Sequence, residues 1–292
     1  MRVGAFELVD PVPACHEPYA LAILKPWIDV NNVGSMVLQE IEARFGARPL
    51  GQLAKPGNFY DFTRYRPTIH IERGIQEITV PNTTVHYVRR QGENDLLLLS
   101  LLEPHAHAEH YIGSVVKLLT SLKVRKYILL GSMYDAVPHT KPLLVSGYGM
   151  GAGAREDIRK AGVLPITYRG PSTMANLITK KAAEAEIQAM AYIVSLPQYV
   201  VLDEDYLGKV RLMELLNMLY GIPLDREDFE RAMEQRNLVD QRVDNSVEAK
   251  MLVPRLEKVY DMRIQNLGEE GGTSAEIEEI LWTPLGNDVG KA

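Results

Sequence analysis

The chain has 292 residues, 46% hydrophobic and 24% charged, with a formal net charge of −6. Such a length buries a sizeable core, as one large α/β domain with an appendage or as two domains. The acidic balance argues against a nucleic-acid surface as its main business, and no nucleic-acid partner is expected. Cys15 is the only cysteine, so no intrachain disulfide forms. Without a signal-peptide succession or an apolar run of the roughly 20 residues that span a bilayer, the expected setting is the cytoplasm, away from membranes.

In chain order, short continuous apolar runs predict buried strands at 21–24, 96–102, 126–130, 143–145 and 191–196. Helical patterns fall between them at 33–45, 111–122, 156–161 and 172–190, the first capped by Asn32 and the last by Ser172. This alternation implies parallel pairing with right-handed crossovers. Segments 68–71, 77–80 and 84–89 read as a small antiparallel addition at the sheet edge, with Pro81-Asn82 as a turn. The expected fold is a three-layer α/β/α core with a mixed, mainly parallel sheet and a C-terminal helical appendage.

A helix at 206–220 stops at Gly221 and Pro223, and Asp225 caps the next. There Phe229, Met233, Val239, Val243, Val247, Leu252, Leu256 and Val259 recur at helical spacings, with Pro254 as a break or restart. This pattern fits either a helical hairpin packed on its own domain or exposed stripes that join subunits. The division is a core at 1–222, an extension at 223–264 and a mobile Gly- and Glu-rich tail at 265–292.

Ligands on open α/β sheets gather beyond the carboxyl ends of the strands. Asp29, Asn31 and Asn32 follow the first strand, Glu103 the second, and His139, Thr140 and Lys141 the third; Gly170 and Ser172 open the last crossover helix. These form a candidate ligand or interaction rim. His139 suits a general base, an anion donor or a loop-ordering hydrogen bond, but no nucleophile elbow or triad partner accompanies it, so no catalytic residue is assigned. His105, His107 and His110 are the only dense metal-ligand candidates, and no second ligand pair supports them, so neither a metal nor a cofactor is expected. The glycines at 147, 149, 151 and 153 read as a flexible loop, since neither a Walker nor a dinucleotide fingerprint is complete.

An ordered set of motifs carries a resemblance: Trp27-Ile28-Asp29 with the asparagines and Gly34, Tyr60-Asp61-Phe62 before Arg66-Pro67, Glu103-Pro104 after 95–101, Gly131 with 137–142, and Tyr168-Arg169-Gly170-Pro171. Over residues 18–220 it resembles the proteasome assembly chaperone family, and 256–261 is similar to the helical extension of its bacterial members. The resemblance implies a phosphorylase-like fold and an interaction or assembly role without established enzymatic activity. Archaeal members engage proteasome rings through a terminal hydrophobic-tyrosine-any tripeptide, whereas this chain ends Gly290-Lys291-Ala292, so docking by that tail is not expected. The expected partners are further copies of the chain or another protein. The alternative is a nucleoside- or phosphometabolite-binding protein, or an enzyme, using the rim.

Overall fold

A computed structural model describes residues 1–72, 74–166, 170 and 172–268. In chain order the elements are β1 (Arg2–Val3), β2 (Phe6–Leu8), β3 (Tyr19–Lys25), α1 (Val33–Phe45), β4 (Arg48–Leu53), β5 (Thr68–Glu72), β6 (Ile75–Thr79), β7 (Thr84–Val88), β8 (Leu96–Leu102) and α2 (Ala108–Ser121). There follow β9 (Lys126–Asp135), β10 (Val145–Met150), α3 (Ala152–Lys160), β11 (Leu164–Pro165), α4 (Met174–Glu184), β12 (Gln188–Pro197), α5 (Tyr206–Tyr220), α6 (Arg226–Asp244) and α7 (Val247–Gly268).

Ten strands form one sheet in the order β1-β2-β4-β7-β8-β3-β9-β12-β10-β11. Its centre, β8-β3-β9-β12, pairs in parallel, and both flanks carry antiparallel strands. The continuous leucines of β8 are explained by burial on both faces: Leu97, Leu99 and Leu101 pack on the side of α2 and α4, and Leu96 and Leu98 on the side of α1 and α5. The result is helix, sheet and helix in three layers.

Several boundaries differ from the sequence pattern. The predicted helix over 172–190 ends at Glu184, and Gln188 already opens β12, because Ala189 and Met190 are buried on opposite faces of the sheet. The presumed glycine loop is strand through Met150 and helix from Ala152. A side chain is excluded at Gly147, where a Cβ would lie 2.1 Å from the Ala191 carbonyl oxygen. The antiparallel flank is larger than the expected addition: β7 is an interior strand between β4 and β8, while among the described residues β5 and β6 pair only with each other. Pro81-Asn82 therefore links the hairpin to the sheet and is not a hairpin turn.

Asn32 does not cap α1 with its side chain. It is left-handed (φ 56°), and its amide donates to the Asp203 carbonyl at 3.0 Å. Asp29 takes that task, accepting the Ser35 N–H at 3.0 Å and the Ser35 hydroxyl. Ser172 is likewise replaced as the N-cap of α4 by Thr173. Asp225 does cap α6, accepting from the Glu227 N–H at 3.1 Å. The chain breaks at Asn245-Ser246, where the Ser246 hydroxyl accepts the Ala249 N–H at 3.2 Å, and α7 runs on through Pro254. Residues 265–268, read as the start of a mobile tail, belong to α7; 269–292 lie outside the described residues.

Candidate functional site

Parallel register brings the ends of β3, β9 and β12 together, and the turn after β3 is sewn to them. Asp29 bridges Ser132 in parallel fashion, and the Tyr134 hydroxyl donates to Asn31 Oδ1 at 2.8 Å. The Asn31 carbonyl accepts the Asp205 N–H at 3.0 Å, where Asp205 caps α5. The asparagine pair thus holds the entrance of α5 against the strand ends. Trp27, 66% exposed beside this turn, makes the rim partly apolar.

His139 sits in a corner between β9 and β10, and its 7% exposure shows that the corner is covered. The Tyr199 hydroxyl accepts the His139 backbone N–H at 2.8 Å and meets Nδ1 at 2.6 Å. Nε2 lies 3.2 Å from Asp240 Oδ1 on α6. An N–H on Nε2 satisfies both contacts, with the tyrosine donating to Nδ1. Burial lowers the imidazole below its ordinary 6.5, outweighing the opposite pull of Asp240, which agrees with a neutral ring.

The neighbouring residues are held by α7. The Thr140 hydroxyl donates to Glu257 at 2.5 Å, and Lys141 Nζ lies 3.0 Å from Asp261. The Tyr260 hydroxyl donates to the Pro142 carbonyl at 3.0 Å, and Tyr260 packs on Val137 and Leu144. Arg263 grips Asp135, the last residue of β9, through two bonds of 2.9 and 3.2 Å, while the Ser195 hydroxyl donates to the same carboxylate at 2.9 Å. Between this corner and α6 a cavity of about 30 Å³ remains, lined in part by His139, Asp205 and Gln235. That is the room of about one water.

The other rim candidates stand apart from this corner in their contacts. Glu103 gives its backbone N–H to Lys25 at 2.9 Å and its carbonyl to the Tyr65 hydroxyl at 3.1 Å. Gly170 is exposed, and Ser172 bonds locally to Asn176 and to the Thr173 carbonyl. The histidines have separate local partners: His105 Nδ1 accepts the Asp61 N–H at 3.0 Å, His107 is the left-handed N-cap of α2, and His110 lies against Phe59. Among the described residues, no three His, Cys, Asp or Glu side chains converge as metal ligands.

Two features escaped the sequence reading. Tyr199, Asp240 and Arg263 complete the His139 corner from distant segments, with no local signal. The hairpin β5–β6 did leave one: Ile69, Ile71, Ile75 and Ile78 are apolar residues for which no buried face was available. They are 56%, 72%, 74% and 56% exposed.

The family model of the PAC2 family matches residues 23–242, from β3 to the end of α6. The chain belongs to the PAC2 family. Among solved structures, a PAC2 family protein from Streptomyces avermitilis is similar at 25% identity and a TM-score of 0.72, covering 81% of this chain and 99% of its own. A proteasome-assembly chaperone homologue from Mycobacterium tuberculosis shares the fold at 20% identity and a TM-score of 0.72, over 80% and 99% of the two chains. An archaeal proteasome activator from Pyrococcus furiosus shares it at 13% identity and 0.62, over 82% and 99%. Comparison with curated sequences gives no match. Among the described residues, no helix of this PAC2 protein is long and apolar enough to cross a membrane.

Proposed function

We propose that this PAC2 protein is a non-enzymatic interaction or assembly factor of the cytoplasm, and that its copies join through the β5–β6 hairpin. The observation that carries the reading is the hairpin itself. All ten of its strand residues are exposed, each strand has one edge unpaired among the described residues, and neither contains the lysine or proline that blunts an edge. Register puts Ile69 opposite Ile78, with Ile71 on the same face. A lone two-stranded hairpin is marginal in water. Covering these side chains stabilises it, at about 1.5–3 kcal/mol for each isoleucine fully buried.

Two further observations support this reading. The polar groups of the His139 corner are matched by α6 and α7, leaving no open set of nucleophile, base and orienter. The similarity to a proteasome-assembly chaperone homologue and to an archaeal proteasome activator favours protein partners. The small cavity beneath α6 favours a second reading, ligand binding at the carboxyl edge, only if α6 and α7 move away.

Sedimentation velocity of the full chain tests the proposal. The wild type sediments as a species larger than one chain, and Ile69→Thr/Ile71→Thr/Ile78→Thr shifts it towards monomer while circular dichroism shows it still folded. A wild type that stays monomeric at every concentration, or a variant that assembles as the wild type does, overturns it.

A further inference from the structure

Away from the corner closed by α6 and α7, a cleft of about 280 Å³ opens at the opposite, amino edge of the sheet. Tyr19, Lys126 and Gln188 open β3, β9 and β12 and are direct register partners. Partners in adjacent parallel strands face the same way, so the three stand in a row along the cleft.

This row is already fixed. Lys126 is ion-paired with Asp157, and its ammonium lies 5.2 and 5.0 Å from the ring centres of Tyr19 and Tyr220. Asp157, itself buried, also accepts the Tyr220 hydroxyl at 3.0 Å. Gln188 Oε1 accepts the Ala154 N–H at 3.1 Å. The lysine charge is thereby neutralised within the protein.

The rest of the lining is the reverse. Glu17, Arg125 and Glu186 line the same cleft, carry charges of both signs, and make no side-chain ion pair or hydrogen bond among the described residues. The backbone adds a second sign. Helices α1, α3 and α5 are followed by glycines at φ 61°, 59° and 63°, whereas the equivalent left-handed positions after α2 and α4 are Lys123 and Glu186, at φ 56° and 61°. Glu17 is also left-handed, at φ 40°. A side chain is strained at such dihedrals where glycine is not, so both carboxylates are kept at a conformational cost. Strain of this kind gathers at functional places.

We propose that this cleft binds a small zwitterion, of which a free α-amino acid is the simplest. Glu17 and Glu186 receive the ammonium, Arg125 the carboxylate, and the Tyr19 ring the side chain. Charge-assisted bonds of both signs are what the unpaired groups can offer. The volume, worth roughly nine waters at about 30 Å³ each, suits a molecule of that size. Nothing in this site depends on the hairpin, so it stands or falls separately from self-association.

Titration calorimetry of the full chain with each standard amino acid, and with methylamine and acetate as half-ligands, tests the proposal. Expected is saturable one-to-one binding of at least one amino acid, with each half-ligand weaker by about tenfold or more. Arg125→Ala and Glu186→Gly each weaken that binding by about tenfold, the loss of one hydrogen bond to a charged partner. Glu186→Gly also raises the melting temperature without ligand, since it removes the left-handed side chain, and so shows that the weakened variant is folded. Absence of saturable binding up to about 10 mM, half-ligands that bind as well as the amino acid, or wild-type affinity in both variants overturns it.

Discussion

Arg263→Ala cuts the one bidentate ion pair that fastens α7 to the end of β9. Its magnitude follows from the geometry. The arginine and Asp135 side chains are 23% and 27% exposed, between a screened surface pair and a desolvated one. A surface pair contributes about 0–1 kcal/mol and a hydrogen bond to a charged group about 1.5–3, so the loss is about 1–2 kcal/mol. It does not reach the ~3–5 kcal/mol of a charge abandoned in a core. Asp135 keeps the Ser195 hydroxyl at 2.9 Å and the Ala136 N–H at 2.7 Å. Leu256, Val259 and Tyr260 of α7 stay buried, so the helix remains docked but opens more often. Hydrogen exchange read by mass spectrometry then shows amides of 247–268 exchanging about 5–30-fold faster, while those of β3, β9 and β12 are unchanged. Unchanged exchange in α7 would show that the pair holds nothing. An equal acceleration everywhere would show that α7 does not open as a separate unit.

Two further perturbations follow from buried charge. Burial lowers His139 below 6.5, so the native state binds fewer protons than the unfolded one as pH falls through that value. Its contribution to stability is therefore intact above 6.5 and is lost on acidification towards the folded pKa. Denaturant midpoints fall between about pH 7.5 and 5.5, and His139→Gln flattens that slope; an equal slope in the variant refutes the assignment. Lys209, buried between α1, α5 and α6, lies 2.7 Å from Asp228 and 3.4 Å from Glu40. Lys209→Met leaves the buried Asp228 carboxylate uncompensated, while Glu40 keeps Arg44 at 2.7 Å, and costs about 3–5 kcal/mol in chemical denaturation, with Lys209→Met/Asp228→Leu recovering part of it. A single variant as stable as the wild type refutes that reading.

The parallel centre was legible because burial on both faces writes itself as unbroken apolar runs, as in 96–102 and 126–130. The errors came where two states use the same residues. Gln188, Ala189 and Met190 are acceptable helix formers, and only their position across from Lys126, Tyr127 and Ile128 makes them strand. The glycines at 147 and 149 looked like a loop because close backbone approach in a strand and freedom in a turn both select glycine. The hairpin isoleucines were read as a sheet edge because alternation reports strand, not which surface covers it.

The candidate corner shows the same division more sharply. A proline-flanked histidine after a buried strand is a local pattern and could be found; the groups that decide its chemistry, Tyr199 and Asp240, arrive 60 and 101 residues away. Seen together, they are matched within the chain: Asp135 by the charge of Arg263, Lys141 by that of Asp261, and the neutral His139 by contacts with Tyr199 and Asp240. A rim built for a charged ligand keeps its charges available, whereas here the chain's own helices use them. Each pair contributes little, about 0–1 kcal/mol where exposed and about 1–2 kcal/mol for Asp135–Arg263. The apolar contacts of Leu256, Val259 and Tyr260 therefore hold most of the cover in place. Any ligand of this edge must bind the uncovered form more tightly than the covered form by at least the free energy of that cover. No such displacement is required at the hairpin, where the isoleucines already face water, and that asymmetry is the physical reason to prefer assembly over ligand binding at the carboxyl edge.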